Sequence, residues 1–168
     1  EAEARGAIFG LTRDAGPAHI VRAGLEAMAY QTHDLLQALK ADGAPAPHRL
    51  RVDGGVTANG WLMQFLADIT ACEVERPAYQ EMTALGAARL AALGAGLIDT
   101  LDQPPSGVPA VWSPQMPEPD RTRLLAGWSA ALAGCLAQAR YGGSPLRPAR
   151  GEDGSAHRSA QREGPRGR

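Results

Sequence analysis

A chain of 168 residues, 44% hydrophobic and 21% charged, suits one domain with a real core and short appendages. Its formal charge of −1 gives no electrostatic reason to expect nucleic acid or an anionic membrane as a partner. No run of about 18 apolar residues predicts a membrane span, and no basic leader with an apolar core marks a secretion signal.

The first apolar run, "GAIFGL" (6–11), is bounded by glycine and reads as a short buried strand. Asp14 and Pro17 then provide a helix start, because proline in the first turn forfeits no needed N–H. That helix runs to about Asp42, with Gly43 suited to the left-handed stop beyond it. Ile20, Gly24, Met28, Gln31, Leu35 and Leu39 recur at spacings of three and four, which predicts one stripe facing the core. "RLRV" (49–52) is the next strand, and a diglycine, Gly54-Gly55, stands at its carboxyl end.

Asn59 is a predicted N-cap for the helix that follows, in which Leu62, Leu66 and Ile69 form the apolar stripe and Met63 and Phe65 widen it. "CEVERP" (72–77) is a third strand, ended by Pro77. "TALGAARLAALGAG" (83–96) is a small-residue helix able to lie close to a sheet. Residues 98–118 read as a proline-rich connection. The last predicted helix spans 120–140, with Leu124, Trp128, Leu132 and Cys135 or Leu136 on one face. Strands alternating with helices predict an α/β domain.

Charge changes at the end of that helix. Residues 1–140 hold 11 Lys/Arg and 15 Asp/Glu, whereas residues 141–168 hold 6 arginines and 3 acids with a single leucine. The last stretch has too little apolar area to offset its ordering entropy and is expected to be a disordered Arg/Gly/Pro-rich tail. Cys72 and Cys135 are the only cysteines, in no metal-binding spacing. They read as small buried hydrophobes in a reducing compartment, with a disulfide between distant segments as the alternative. The chain begins with Glu1, not Met, so a piece of a longer protein is expected.

Ligands of open α/β sheets gather beyond the carboxyl ends of strands, where Gly54-Gly55 lies. Missing Cβ atoms let a phosphate or adenosine approach the main chain. Free N–H groups and the dipole at a helix start favour an anion. Asn59 adds a neutral donor and acceptor. A purely structural turn accounts for "DGG" equally well. It is neither a Walker loop nor a G-x-G-x-x-G fingerprint.

Asp53 reads as a turn-forming aspartate, with a functional carboxylate as the alternative, and Glu81 as a solvated loop carboxylate, with one facing a ligand cleft as the alternative. His19 and His33 stand 14 residues apart on one predicted helix, roughly 21 Å along its axis, and share no metal. His48 falls in a loop and His157 in the tail. Trp61, Trp112 and Trp128 fit core or docking roles better than a platform for bases.

Three blocks in register carry a more specific signal. "ARGAIFGLTRDAGPAHIVRAGLEAMAYQTHDLLQAL", "RVDGGVTANGWLMQFLADI" and "VERPAYQEMTALGAARLAALGAG" resemble the carboxyl-terminal domain of the FGGY carbohydrate kinases. "RGAIFGLTR", "AYQT", "LRVDGG" and "LMQF" narrow the likeness to the glycerol kinases within that family. The resemblance runs from about Ala4 to Gly96 and, more loosely, to Arg140.

It implies an actin-like, ribonuclease-H-like ATPase fold of two domains around a cleft. Residues 1–140 would be most of the second, nucleotide-side domain, incomplete at its N-terminus. Carried over by motif, Gly55 and Asn59 resemble residues that contact ATP or ADP, with Gly54 shaping the turn. The implied activity is ATP-dependent phosphorylation of glycerol to sn-glycerol 3-phosphate.

The resemblance also implies a cytoplasmic location. The phosphate loop, the catalytic aspartate, the polyol site and the Mg2+ ligands would lie in a preceding N-terminal domain, so no catalytic or metal-binding residue is assigned here. The isolated segment is expected to be inactive. A kinase of another polyol or sugar, or a non-catalytic nucleotide-binding or interaction module, remain the alternatives, and a homo-oligomer stays open. Gly60 and Gly24 depart from the family pattern. In the first turn after Asn59, Gly60 weakens the helix by roughly 0.5–1 kcal/mol.

Overall fold

The computed structural model describes residues 4–79, 81–102 and 107–140; the predicted tail, 141–168, lies outside them. The elements in chain order are α1 (Pro17–Ala41), β1 (Arg49–Arg51), a 3-10 turn (Gly55–Ala58), α2 (Gly60–Thr70), β2 (Glu73–Arg76), α3 (Met82–Gly94), β3 (Ala110–Trp112) and α4 (Glu118–Arg140). β1 and β2 are parallel, pairing Leu50 with Val74. β3 runs antiparallel on the other side of β2, pairing Val74 with Trp112.

α2 is the centre of the molecule. Leu62, Met63, Phe65, Leu66, Ala67 and Ile69 are all buried, because α1 covers one side of the helix and the Leu50–Val74 face of the sheet covers another. Ala29 of α1 is fully buried, and its small side chain lets the two helices approach closely. Tyr30 meets Phe65 edge-on and stacks on Trp128 of α4, tying that helix to the same core.

The opposite face of the sheet is polar. Arg49 donates to Glu73 Oε2 and Glu75 Oε2, each at 2.7 Å, and Arg51 donates to Glu75 Oε1 at 3.0 Å, so the buried Glu75 carboxylate has a partner on each oxygen. Asp68 Oδ1 accepts from Gln115 N at 2.7 Å and Met116 N at 3.2 Å, which fastens the chain leaving β3 to α2.

Several local expectations are corrected. Residues 6–11 form no strand: no neighbouring strand among the described residues offers a ladder, and Ile8, Phe9 and Leu11 are more than half exposed. The chain instead meets α4, where Cys135 Sγ donates to the Arg5 carbonyl just before the segment and the Phe9 ring lies beside Gly134.

α1 begins at Pro17 as expected, but its cap is Gly16, whose N–H donates to His19 Nδ1 at 3.0 Å; Asp14 takes no part. The stripe Ile20–Met28–Leu35–Leu39 is exposed. Ala29 and Tyr30 are buried instead, because the bulk of α2 and Trp128 lies on their side. α3 has no buried residue, so it does not lie close against the sheet. β3 interrupts the expected 98–118 connection; three residues are too few for a periodicity to show. Cys72 and Cys135 are free and half-buried, each donating to a backbone carbonyl, so the disulfide alternative is not realised.

Candidate functional site at the diglycine turn

β1 delivers the chain into a corner built from backbone hydrogen bonds. Val52 N donates to Glu75 O at 3.0 Å, extending the ladder one residue past the strand. Gly54 then turns the chain at φ 90°, ψ 166°, a conformation that an L side chain adopts only with strain. Its carbonyl accepts from Thr57 N at 3.1 Å and from Thr57 Oγ1 at 2.7 Å. That double acceptance closes the 3-10 turn, and Asn59 N–H donates to Val56 O at 3.1 Å to end it.

Asn59 caps α2 as expected. Its Oδ1 accepts from Leu62 N at 3.1 Å and its carbonyl from Met63 N at 3.1 Å. The cap leaves the Nδ2 donors of the same amide unused, and the N–H groups of Gly60 and Trp61 have no partner within the helix. Gly54, Gly55 and Asn59 therefore share one turn at the carboxyl end of β1.

The outer side of that turn is bare. A Cβ built on Gly55 would meet nothing within 4 Å, and the same holds for Gly54. A cavity of about 290 Å³ lies between the turn, α1 and α2, lined by Met28, Thr32, Val52, Asp53, Thr57 and Leu66 among others. Asp53 is exposed at its edge. Glu81 is exposed at the N-cap of α3 and makes no side-chain cap bond.

Two residues of the corner were not singled out from sequence. Thr57 is 2% exposed, and the signal for it was a hydroxyl residue three positions after Gly54, the spacing of a side-chain-closed turn. Arg76, at the end of β2, donates from Nη1 to Thr57 O at 2.7 Å, and nothing local to its own strand announces that contact.

Among the described residues, no three His, Cys, Asp or Glu side chains group where they would hold a metal ion. His19 caps α1 and His33 pairs with Gln37 at 3.2 Å. The Trp61 ring stacks on Phe65 at 5.2 Å and has the Arg22 guanidinium over it at 4.9 Å, so its ring already has partners within the protein. No helix among the described residues is long and apolar enough to cross a membrane.

Residues 1–95 match the C-terminal domain of the FGGY family of carbohydrate kinases. The chain is 52% identical over 136 residues to a glycerol kinase of Ectopseudomonas mendocina, covering 77% of this chain and 27% of that protein. A glycerol kinase of Rhodospirillum rubrum is likewise 52% identical over 136 residues, with the same coverage of 77% and 27%. The chain thus spans about a quarter of the length of the curated relatives it matches.

Among solved structures, the Plasmodium falciparum glycerol kinase with ADP superposes with a TM-score of 0.64 at 36% identity, over 79% of this chain and 27% of that one. A xylulose kinase from Rhodospirillum rubrum gives 0.61 at 28% identity, over 82% and 28%.

Proposed function

We propose that this chain, which belongs to the FGGY family of carbohydrate kinases and carries its C-terminal domain, is the nucleotide-side part of an ATP-dependent glycerol kinase. Its fold is that of the actin-like, ribonuclease-H-like ATPases, which the sugar kinases of this family share. Residues 1–140 are taken as the domain, with 141–168 as an appended tail. Glycerol is favoured over a pentulose because, among the solved structures, identity is 36% with the glycerol kinase and 28% with the xylulose kinase, and the curated relatives at 52% identity are glycerol kinases.

The observation that carries the nucleotide reading is the open Gly54-Gly55 turn placed between the carboxyl end of β1 and the N-terminus of α2. Gly55 has no side chain and no protein neighbour where a Cβ would sit, which leaves its main chain open to a flat or phosphorylated ligand. Gly54 sets the direction of the turn, and Asn59 supplies amide donors beside the free N–H groups at the start of α2. The relative crystallised with ADP shares this fold. When bound, ATP supplies the phosphoryl group to be transferred.

The residues present do not fit a magnesium site, because no acidic cluster forms among those described. Magnesium, glycerol and the base for its hydroxyl are assigned to the rest of the longer protein, and no step is derived through the metal. Domain closure would then bring the two halves of the cleft together away from water. The isolated 168 residues bind ADP weakly and turn over nothing. A cytoplasmic location belongs to the same reading.

Gly55→Val in the full-length protein tests it. The new side chain has room in the nucleotide-free fold, so stability should hold while the ADP dissociation constant rises and glycerol affinity changes little. Unchanged ADP affinity in a folded variant refutes the assignment.

A further inference from the structure

We propose that Arg76 is a positioning residue that holds the nucleotide corner in shape from the neighbouring strand. This rests on the reading of Gly54, Gly55 and Asn59 as that corner. Arg76 donates from Nη1 to the Thr57 carbonyl at 2.7 Å, and its guanidinium lies over the Trp112 ring at 5.4 Å from the centroid. Trp112 sits on β3, opposite Val74. One planar cation thus joins the turn after β1 to the two strands that follow it.

The contact lands where it controls most. Thr57 is buried, its N–H and hydroxyl both donate to Gly54 O, and Gly54 is the residue that reverses the chain. A displaced Thr57 would therefore carry the Gly54–Gly55 peptide with it. A charge-assisted bond is shorter and stronger than a neutral one, and here its donor is held on the far side by the indole. Lysine would keep the charge, but its compact ammonium cannot both meet the carbonyl and extend over the indole as the larger guanidinium does. Arg76 touches no reacting atom; it acts through Thr57.

The test compares Arg76→Ala, Arg76→Lys and Trp112→Phe in the full-length protein, with two readouts. Without nucleotide, amide exchange at Thr57 and Asn59, whose N–H groups close the turn, should quicken by about tenfold in Arg76→Ala, while core amides of α2 stay protected. By calorimetry, ADP should bind about tenfold more weakly with glycerol affinity within about twofold, and Arg76→Lys should recover less than half of the loss.

Uniform acceleration across α2, or a parallel loss of ADP and glycerol binding, marks a general structural role and overturns the proposal. So does a folded Arg76→Lys variant that matches the unmodified protein in both readouts. If Arg76→Ala does not fold, Arg76→Lys and Trp112→Phe decide by the same criteria. If the unmodified protein binds no ADP, the nucleotide reading falls, and local exchange at Thr57 and Asn59 alone decides whether Arg76 holds the turn.

Discussion

Trp128 Nε1 donates to Asp34 Oδ2 at 2.7 Å, joining residues 94 apart in the chain. The same indole stacks on Tyr30 with centroids 5.3 Å apart and planes 17° from parallel. α4 is therefore docked on α1 by one polar and one apolar contact from a single side chain.

Removing the acceptor with Asp34→Ala should cost about 1–2 kcal/mol, since a half-buried indole N–H loses a charged partner. Asp34→Asn, which keeps an amide oxygen as acceptor, should cost well under half of that. Trp128→Phe should then be less damaging on the Asp34→Ala background than on the unmodified one, as expected of two groups that share an interaction. Urea midpoints of the four proteins measure the coupling. Strict additivity would mean that the bond contributes nothing.

Asn59 caps α2 and, on the proposed reading, donates to the nucleotide, and substitution can separate the two. Asn59→Ala should lower stability by about 1 kcal/mol through loss of the α2 cap, and should weaken ADP binding as well. Asn59→Asp keeps the oxygen that accepts from Leu62 N, so stability should stay near that of the unmodified protein. It replaces the amide donors with negative charge, so ADP should bind more weakly. Calorimetry beside urea unfolding reads both; an Asn59→Asp variant with undiminished ADP affinity would remove Asn59 from the site.

Tyr30 makes the fold sensitive to alkali. Burial foremost, and then the negative charge of Glu26, push its pKa up to about 12, against an opposing pull from Arg123 and Arg22. Below pH 10 the phenol is protonated in both folded and unfolded chains, and its contribution to stability is fully present. As pH rises from about 10 to about 12, the unfolded chain releases a proton that the fold retains, so stability falls, by on the order of 2 kcal/mol in all. Tyr30→Phe should lack this part of the decline. Parallel slopes for the two proteins over that range would show that burial does not hold the proton.

The short-range rules were legible in the sequence, and the long-range ones were not. Pro17 marks a helix start by its fixed φ and missing donor, and Asn59 and Gly43 mark helix ends through bonds within a few residues. The α1 stripe misled because spacing identifies an apolar face without saying what lies opposite; Ala29, a residue with little hydrophobic bulk, is the one that meets α2. Residues 6–11 have strand composition, but a strand needs a neighbour, which composition cannot supply. In the candidate corner, the turn at Gly54-Gly55 and the α2 cap by Asn59 were readable because both are closed by local bonds. Arg76 was not, since 19 residues separate it from the carbonyl that it holds.

Trp61 lies in the first turn of α2, two residues after Asn59, and is 40% exposed, in contact with Phe65 and the guanidinium of Arg22. The molecule thereby carries its own optical gauge at the corner. Emission from this indole depends on how water and the neighbouring cation are arranged around it, so its wavelength can be followed as ADP is titrated without attaching any dye. Mutating Trp61 to Phe would isolate its signal from those of Trp112 and Trp128, which sit deeper in the packing.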